Sequence, residues 1–395
     1  MKQALENIRV LDLTRVLAGP YATMILGDLG ADIIKIEMPG TGDDSRAFGP
    51  YVNNESAYFM SLNRNKRSIT LNLKSEKGKE VFIEMVKKAD VLVENFRPGT
   101  MEKLGLGYDY LSTINPRLIY AASSGYGHTG PYSKKAAYDA VVQAMGGIMS
   151  ITGQKDGKFT RVGTSIADIN SGLFTAIGIL AALNSRHVTG KGQKVDVAML
   201  DALVAILENA IARYVVTGEV PKPGGNRHPS IVPFEPFETL DGEVVVAVGN
   251  DTLWAKFCQV IGREELINDE RFKTNPLRNK NYDELRPLIA ESMKKKTTAE
   301  WLKLLDEAGV PNGPINTIDK VLEDPQIKAR NMIVEIEHPV AGKLKVPGVP
   351  IKLSATPGSI RTPAPVLGQH TEEILKELLG YDDEKIQSLR EANAI

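Results

Sequence analysis

Asp168 heads a long apolar stretch within residues 160–202, TRVGTSIADINSGLFTAIGILAALNSRHVTGKGQKVDVAMLDA. Residues 169–185 carry no charge and are dense in Ala, Gly, Leu and Ile. A helix that apolar on every face belongs inside a protein. Its longest apolar run, residues 172–183, is far short of the ~20 residues that a membrane span requires. Asp168 is therefore expected at the mouth of a buried helix, where the partial positive charge of the N-terminus favours a carboxylate. An ionised carboxylate beside a buried wall can act as a nucleophile. With the ordinary Asp value near ~3.9 it is already charged at neutral pH and needs no general base. The plainer reading is structural: Ser165-Ile166-Ala167-Asp168 fits a capping box, Ser165 as N-cap and Asp168 at N3.

Other chemistries find less support. His128, His187, His228, His338 and His370 form no pair at metal-ligand spacing, and neither CxxC nor HExxH occurs, so no metal is expected. Cys258 is the only cysteine. It permits no intrachain disulfide and suits a reducing, cytoplasmic setting. A net charge of −1 gives no bulk field to recruit nucleic acid or an anionic membrane. The first residues, MKQALENIRVLDL, carry charges where a signal peptide needs an apolar core. The turn after the first expected strand reads RVLAGP rather than GxGxxG, and GxxxxGK[ST] is absent, so no conventional nucleotide phosphate loop is expected. The basic run Asn63-Arg64-Asn65-Lys66-Arg67 reads either as a solvated turn or as a phosphate-binding patch.

The elements that must position Asp168 follow from patterning. Strands are expected at 8–13, 32–37, 68–73, 90–95, 117–124 and 194–199, with helices between them, among them one opening at Pro20 and one over 75–89. Such alternation implies an α/β fold with a parallel sheet and helices on both faces. Ligands then bind beyond the carboxyl ends of the strands. That rule points at residues 15–19, Lys74, 95–97 and 124–126. A long helix is expected over 201–216, followed by a Gly/Pro-rich connection at 217–237 that marks a boundary or a mobile cover. Residues 238–325 read as a smaller α+β domain. Short strands between prolines and two closing helices follow.

Several separated stretches resemble the family III CoA-transferases: RVLAGPYATMILGDLGADIIKIE (15–37), NRNKRSITLNLKSEKGKE (63–80), VLVENFRPGTMEKLGLGYDYL (91–111), SGYGHTGPY (124–132), YDAVVQAMGG (138–147), ADINSGLFTAIGILAAL (167–183), TGKGQKVDVAMLDA (189–202) and AGVPNGPIN (308–316). They run in order along nearly the whole chain. The resemblance implies a Rossmann-like, CoA-binding large domain over 1–200, completed by about 330–395. It further implies a linker helix and glycine-rich lid at 201–237, a small domain at 238–325, and an interlocked, ring-shaped homodimer. It makes acyl-CoA and a carboxylic acid the substrates, with no tightly bound cofactor. Asp168 takes the position of the nucleophile, which forms first a mixed anhydride and then an aspartyl-CoA thioester. Tyr138 and Asp139 match a Tyr-acidic pair beside it. Val16, Leu17 and Ala18 match the turn along the pantetheine arm. Leu71 and Lys74 match the adenine and phosphate end, and Asn95, Phe96, Arg97 and Lys103 match the segment that grips adenosine and pyrophosphate. Taken alone, Phe96 reads as core and the three cations as solvated surface.

Two departures bear on the acceptor. Leu17 stands where the formyl-CoA enzyme has Gln, and Ala136 where it has Lys, which makes an oxalate-type acceptor less expected. The lid is replaced by Pro223-Gly224-Gly225-Asn226-Arg227-His228-Pro229. Gly224 and Gly225 still permit a hinge, and Arg227 and His228 offer partners for an acceptor carboxylate or else are exposed loop side chains. The alternative on this fold is an α-methylacyl-CoA racemase, which places His-Asp where this chain has Tyr138-Asp139. Tyr, titrating near ~10, is a poor base for an α-proton. A nicotinamide-linked oxidoreductase and a catalytically dead CoA-ester binder are the readings from other classes.

Overall fold

The computed structural model describes residues 2–395. The chain divides into two compact units. One comprises the chain to Ile148, Arg161–Val216 and Gln326–Ile395; the other comprises Met149–Thr160 and Thr217–Pro325.

The first unit is built on six parallel strands, Arg9–Asp12, Asp32–Glu37, Lys66–Thr70, Val91–Glu94, Ile119–Ser124 and Lys194–Ala198 (β1 to β6). Their order across the sheet is β3-β2-β1-β4-β5-β6. Neighbouring apolar residues explain why both faces are covered, since successive side chains on a strand point to opposite sides. Leu11, Ile34, Leu92 and Tyr120 pack against helix Glu76–Val86 and the closing helices Thr371–Leu379 and Asp383–Glu391. Their neighbours Val10, Ile33, Val91 and Ile119 pack on the other face against Leu26 of helix Ala18–Asp28 and against Ile179, Ala182 and Leu183 of helix Ile166–Thr189. The strand order reverses direction between β1 and β4, so the crevice of this fold class opens above the ends of those two strands.

Helix Ile166–Thr189 departs from the expectation of full burial. It has 24 residues with a mean hydropathy of 1.7 in its most apolar window, long and apolar enough by those measures to cross a membrane, yet only half of that window is buried. One stripe enters the core, while Leu173, Phe174, Ile177 and Val188 are exposed, Ile177 by 57% and Val188 by 86%. Other differences are local. The first helix opens at Ala18, not at Pro20, because Tyr21 N–H already donates to the Leu17 carbonyl at 2.8 Å. The third strand begins at Lys66, two residues earlier than the 68–73 expected. The single helix expected over 201–216 is two, Met199–Ala205 and Glu208–Thr217. Leu203 is pinned in a small core with Val142, Ala167 and Met199, and Glu208, at φ 29°, then redirects the chain.

The second unit has its own core. Strands Phe234–Glu238, Glu243–Ala247 and Asn312–Pro314 form an antiparallel sheet. Helices Asp251–Val260, Tyr282–Met293 and Thr298–Ala308 enclose Trp254, Phe257, Phe272 and Trp301 with it. Residues 217–237 belong to this unit.

Candidate active site

The turn leaving β1 is held by side chains from two other segments. Arg15 N–H donates to Asn95 Oδ1 at 2.8 Å, and Asn95 Nδ2 donates back to the Arg15 carbonyl at 2.7 Å, tying this turn to the one that leaves β4. The Arg15 guanidinium lies 5.3 Å from the Phe96 ring centroid and pairs with Asp44 at 2.9 Å. Val16 has φ 67°, a left-handed conformation that is costly for a β-branched residue. Its N–H donates to Asp43 Oδ1 at 3.0 Å, which holds the backbone there.

Beneath the turn lies a buried charge network. Lys35 pairs with Asp43 at 2.8 Å, and Lys66 with Asp12 at 3.0 Å, all four side chains fully buried. Burial would raise the Asp12 carboxyl, but Lys66 and Lys35 outweigh it and hold the group below its ordinary range. Lys66 also donates to Asn63 Oδ1, Thr23 Oγ1 and the Pro20 carbonyl. The basic run at 63–67 is therefore neither a solvated turn nor a phosphate patch. Arg64 pairs with buried Asp28, and Arg67 with Asp32, Glu373 and Glu377.

Asp168 reaches this turn because helix Ile166–Thr189 lies tightly against helix Ala18–Asp28. A Cβ on Gly172 would stand 2.7 Å from the Ala18 carbonyl oxygen. The segment after β5 closes the other side. A Cβ on Gly125 would meet the Ala137 Cβ at 2.2 Å, so only glycine admits this approach. The expected capping box is not formed, since Ser165 makes no side-chain cap bond. Asp139 caps the helix instead, its Oδ1 accepting Ala167 N–H at 2.9 Å while Oδ2 accepts from Gln143 at 2.7 Å. The Asp168 side chain has no hydrogen bond to protein among the described residues. Burial, with the Asp139 charge second, pushes its carboxyl up to about 7, in place of the ordinary value expected.

A cleft of about 250 Å³ is lined by Asp168, Tyr138, Val16, Leu17, Ala18, Asn95, Phe96 and Arg97, together with Arg15, Asp44 and Lys135. A second cavity, of about 500 Å³, contains Leu71 and Lys74 and shares Arg15, Asp44 and Phe96 with the first. The structure thus brings most of the expected residues around one trench. Lys103 lines neither part, and Asp139 stands behind the wall, 8% exposed, rather than on it. Tyr138 is 78% exposed. In the second unit, Arg227 stacks on Tyr282 with 3.6 Å between guanidinium carbon and ring centroid, and donates to Asn279 at 3.2 Å. His228 stacks on Phe234, and its Nδ1 accepts the amides of Ser230 and Ile231. Gly225 adopts φ 68°, in the left-handed region, and Gly224 lies outside it.

Tyr58 escaped the sequence reading. Its phenol is raised above its ordinary range by burial first, then by the charges of Asp168, Asp43 and Asp139. It sits on the short helix Ala57–Leu62, edge-on to Phe48 at 5.6 Å. Six residues carry too little periodicity to reveal such a helix beside a Gly/Pro-rich loop.

The chain belongs to CoA-transferase family III, whose family model matches residues 5–371. It is 44% identical to the succinyl-CoA:glutarate CoA-transferase of Homo sapiens, over 99% of this chain and 90% of that one. It is 47% identical to the acetyl-CoA:oxalate CoA-transferase of Acetobacter aceti, over 95% and 96% of the respective chains. A solved CAIB/BAIF family protein from Brucella suis superposes with a TM-score of 0.85 at 41% identity, covering 96% of this chain and all of the other. The chain is a CoA-transferase, and acyl-CoA and carboxylate substrates fit that family.

Proposed function

We propose that the protein moves CoA from a short acyl-CoA to a dicarboxylic acid, with Asp168 as the nucleophile. One observation carries the assignment. The cleft has two carboxylates; Asp44 is committed to Arg15, and Asp168 has no partner among the described residues. The carboxylate attacks the thioester carbonyl, the C–S bond breaks, and CoA leaves as the thiolate. That thiolate attacks the aspartyl carbonyl of the mixed anhydride, giving an aspartyl-CoA thioester and the donor acid. The acceptor carboxylate reverses the two steps. No step needs a proton transfer, so the protein's task is to position the groups and exclude water. The acceptor class is supported by the two relatives, whose names carry glutarate and oxalate. The second of these weakens the expectation against oxalate drawn from Leu17 and Ala136. Arg97 and Lys135 line the cleft without an ion-pair partner among the described residues and suit a second carboxylate. Incubation with acyl-CoA and hydroxylamine, followed by mass spectrometry, tests the pathway. A hydroxamate on Asp168 is the expected product, and an unmodified Asp168 under turnover sinks the assignment.

Because Asp168 titrates near 7 in the free protein, kcat/KM for the acyl-CoA rises through about pH 7 as the nucleophile ionises. Asp139→Asn keeps an oxygen for the Ala167 amide but removes the charge that helps raise Asp168. The rising limb then moves to lower pH. A limb that stays in place shows that the Asp139 charge is not felt at the nucleophile.

The chain also pairs with a second copy in this reading. Phe174 and Ile177 of the central helix, and Ile211, Tyr214 and Val215 of helix Glu208–Thr217, are large apolar side chains left exposed, and exposed apolar surface of this kind marks protein contacts when it is contiguous. Light scattering on the purified protein gives twice the chain mass; a monomer at micromolar concentration refutes the pairing.

A further inference from the structure

A second cluster of ionisable side chains lies at the end of β4 and takes no part in the transfer chemistry. Glu94, 2% exposed, closes that strand. Its Oε2 accepts the Phe96 amide at 2.7 Å. Its Oε1 accepts a long bond from the Tyr120 hydroxyl at 3.4 Å and stands 3.7 Å from Nε2 of His128. That imidazole is the only Lys, Arg or His side-chain group within 4.0 Å of the carboxylate among the described residues. His128 is held in turn from the far side. Its Nδ1 lies 3.1 Å from Lys194 Nζ, and its backbone N–H donates to the Asp196 carboxylate at 3.0 Å. Its Nε2 is buried with no hydrogen-bond partner.

Lys194 decides the state of the ring. An ammonium has only protons to offer, so Nδ1 must present its lone pair. In a neutral imidazole the other nitrogen then carries the hydrogen. Nε2–H therefore faces Glu94. A second proton on Nδ1 would set two donors against each other. Desolvation and Lys194 both lower the tendency of His128 to charge, with Asp196 and Glu102 opposing them. Glu94 needs such a donor. Burial first, with Glu102 adding to it, pushes its carboxyl up to about 7 against the opposing Phe96 and Tyr120 bonds and Lys194. A protonated carboxyl is the weaker acceptor for the Phe96 amide. That amide anchors the turn whose Asn95 clasps Arg15 and whose Phe96 ring walls both parts of the trench.

We propose that Lys194, His128 and Glu94 form a positioning relay that fixes the wall at residues 95–97 and so tightens binding of the acyl-CoA, without contact with the reacting atoms. The inference rests on the reading that this trench takes CoA. Two measurements test it. A long-range 1H–15N spectrum of histidine-labelled protein, assigned with His128→Gln, shows His128 neutral at pH 7 with its proton on Nε2; a proton on Nδ1, or on both nitrogens, overturns the relay. In kinetics, His128→Phe raises KM for the acyl-CoA roughly threefold with kcat little changed, the modest size that suits a polar contact at 3.7 Å rather than a formed hydrogen bond. His128→Gln, whose amide both accepts and donates, recovers most of that loss. An unchanged KM in His128→Phe also overturns the relay. Calorimetry with CoA separates the two readings: no binding by the native protein sinks the assignment of the trench, whereas equal binding by native protein and His128→Phe sinks the relay alone. Should His128→Phe not fold, the tautomer of the native protein still decides.

Discussion

Asp168→Asn is expected to lower the rate of CoA transfer by ~10⁴-fold or more, the scale seen when a nucleophile is removed, while the folded protein becomes more stable at alkaline pH. The first effect follows because the amide cannot form an anhydride. The second follows from linkage. The folded carboxyl titrates near 7, above its unfolded value near ~3.9. Between those values the unfolded chain binds fewer protons than the native one, so native stability falls as pH rises through the window. Asparagine has no such loss. Its advantage over the native protein is about a third of its full size at pH 5 and nears that full size above pH 7, where it amounts to roughly 2 kcal/mol once partial exposure is allowed for. Thermal unfolding of both proteins across pH 5 to 8 measures it. A constant gap across that range, or a less stable variant at pH 8, shows that Asp168 is not held dry.

Lys66→Met is expected to cost about 3–5 kcal/mol, the usual consequence of stranding one member of a buried ion pair. Asp12 would keep its bonds to Thr14 and Thr23 but lose its nearest cation. The Asn63 side chain and the Pro20 carbonyl would lose a donor as well. Since these groups underlie the turn at 14–18, CoA affinity should fall with stability. Urea unfolding tests the first and calorimetry the second. A loss below about 1 kcal/mol would place the pair among surface-like ion pairs, in conflict with its complete burial.

The parallel sheet was legible because its strands are short runs of Val, Ile and Leu, with helical patterns between them. The crevice followed from topology alone, since ligand sites of such sheets lie beyond the strand ends. What stayed hidden depends on partners distant in sequence. Lys66 looks like surface until Asp12, two strands away in the sheet, is seen to neutralise it. Ser165 looks like the cap until Asp139 takes the Ala167 amide from another helix. The raised titration of Asp168 arises from that same neighbour and from burial, neither of which a local pattern contains. Residues 206–207 interrupt an unbroken helical pattern because Leu203 is packed in a core that the sequence does not display.

The half-covered central helix restricts how this enzyme can be re-engineered. Ile177 is nine positions from Asp168, or roughly 14 Å along the axis at the α-helical rise. Polar substitutions meant to improve solubility along that bare flank would therefore be written into the rod that carries Asp168 to the cleft. Selection for easier handling would then also be selection on turnover, and gains in expression should be checked against specific activity at each step.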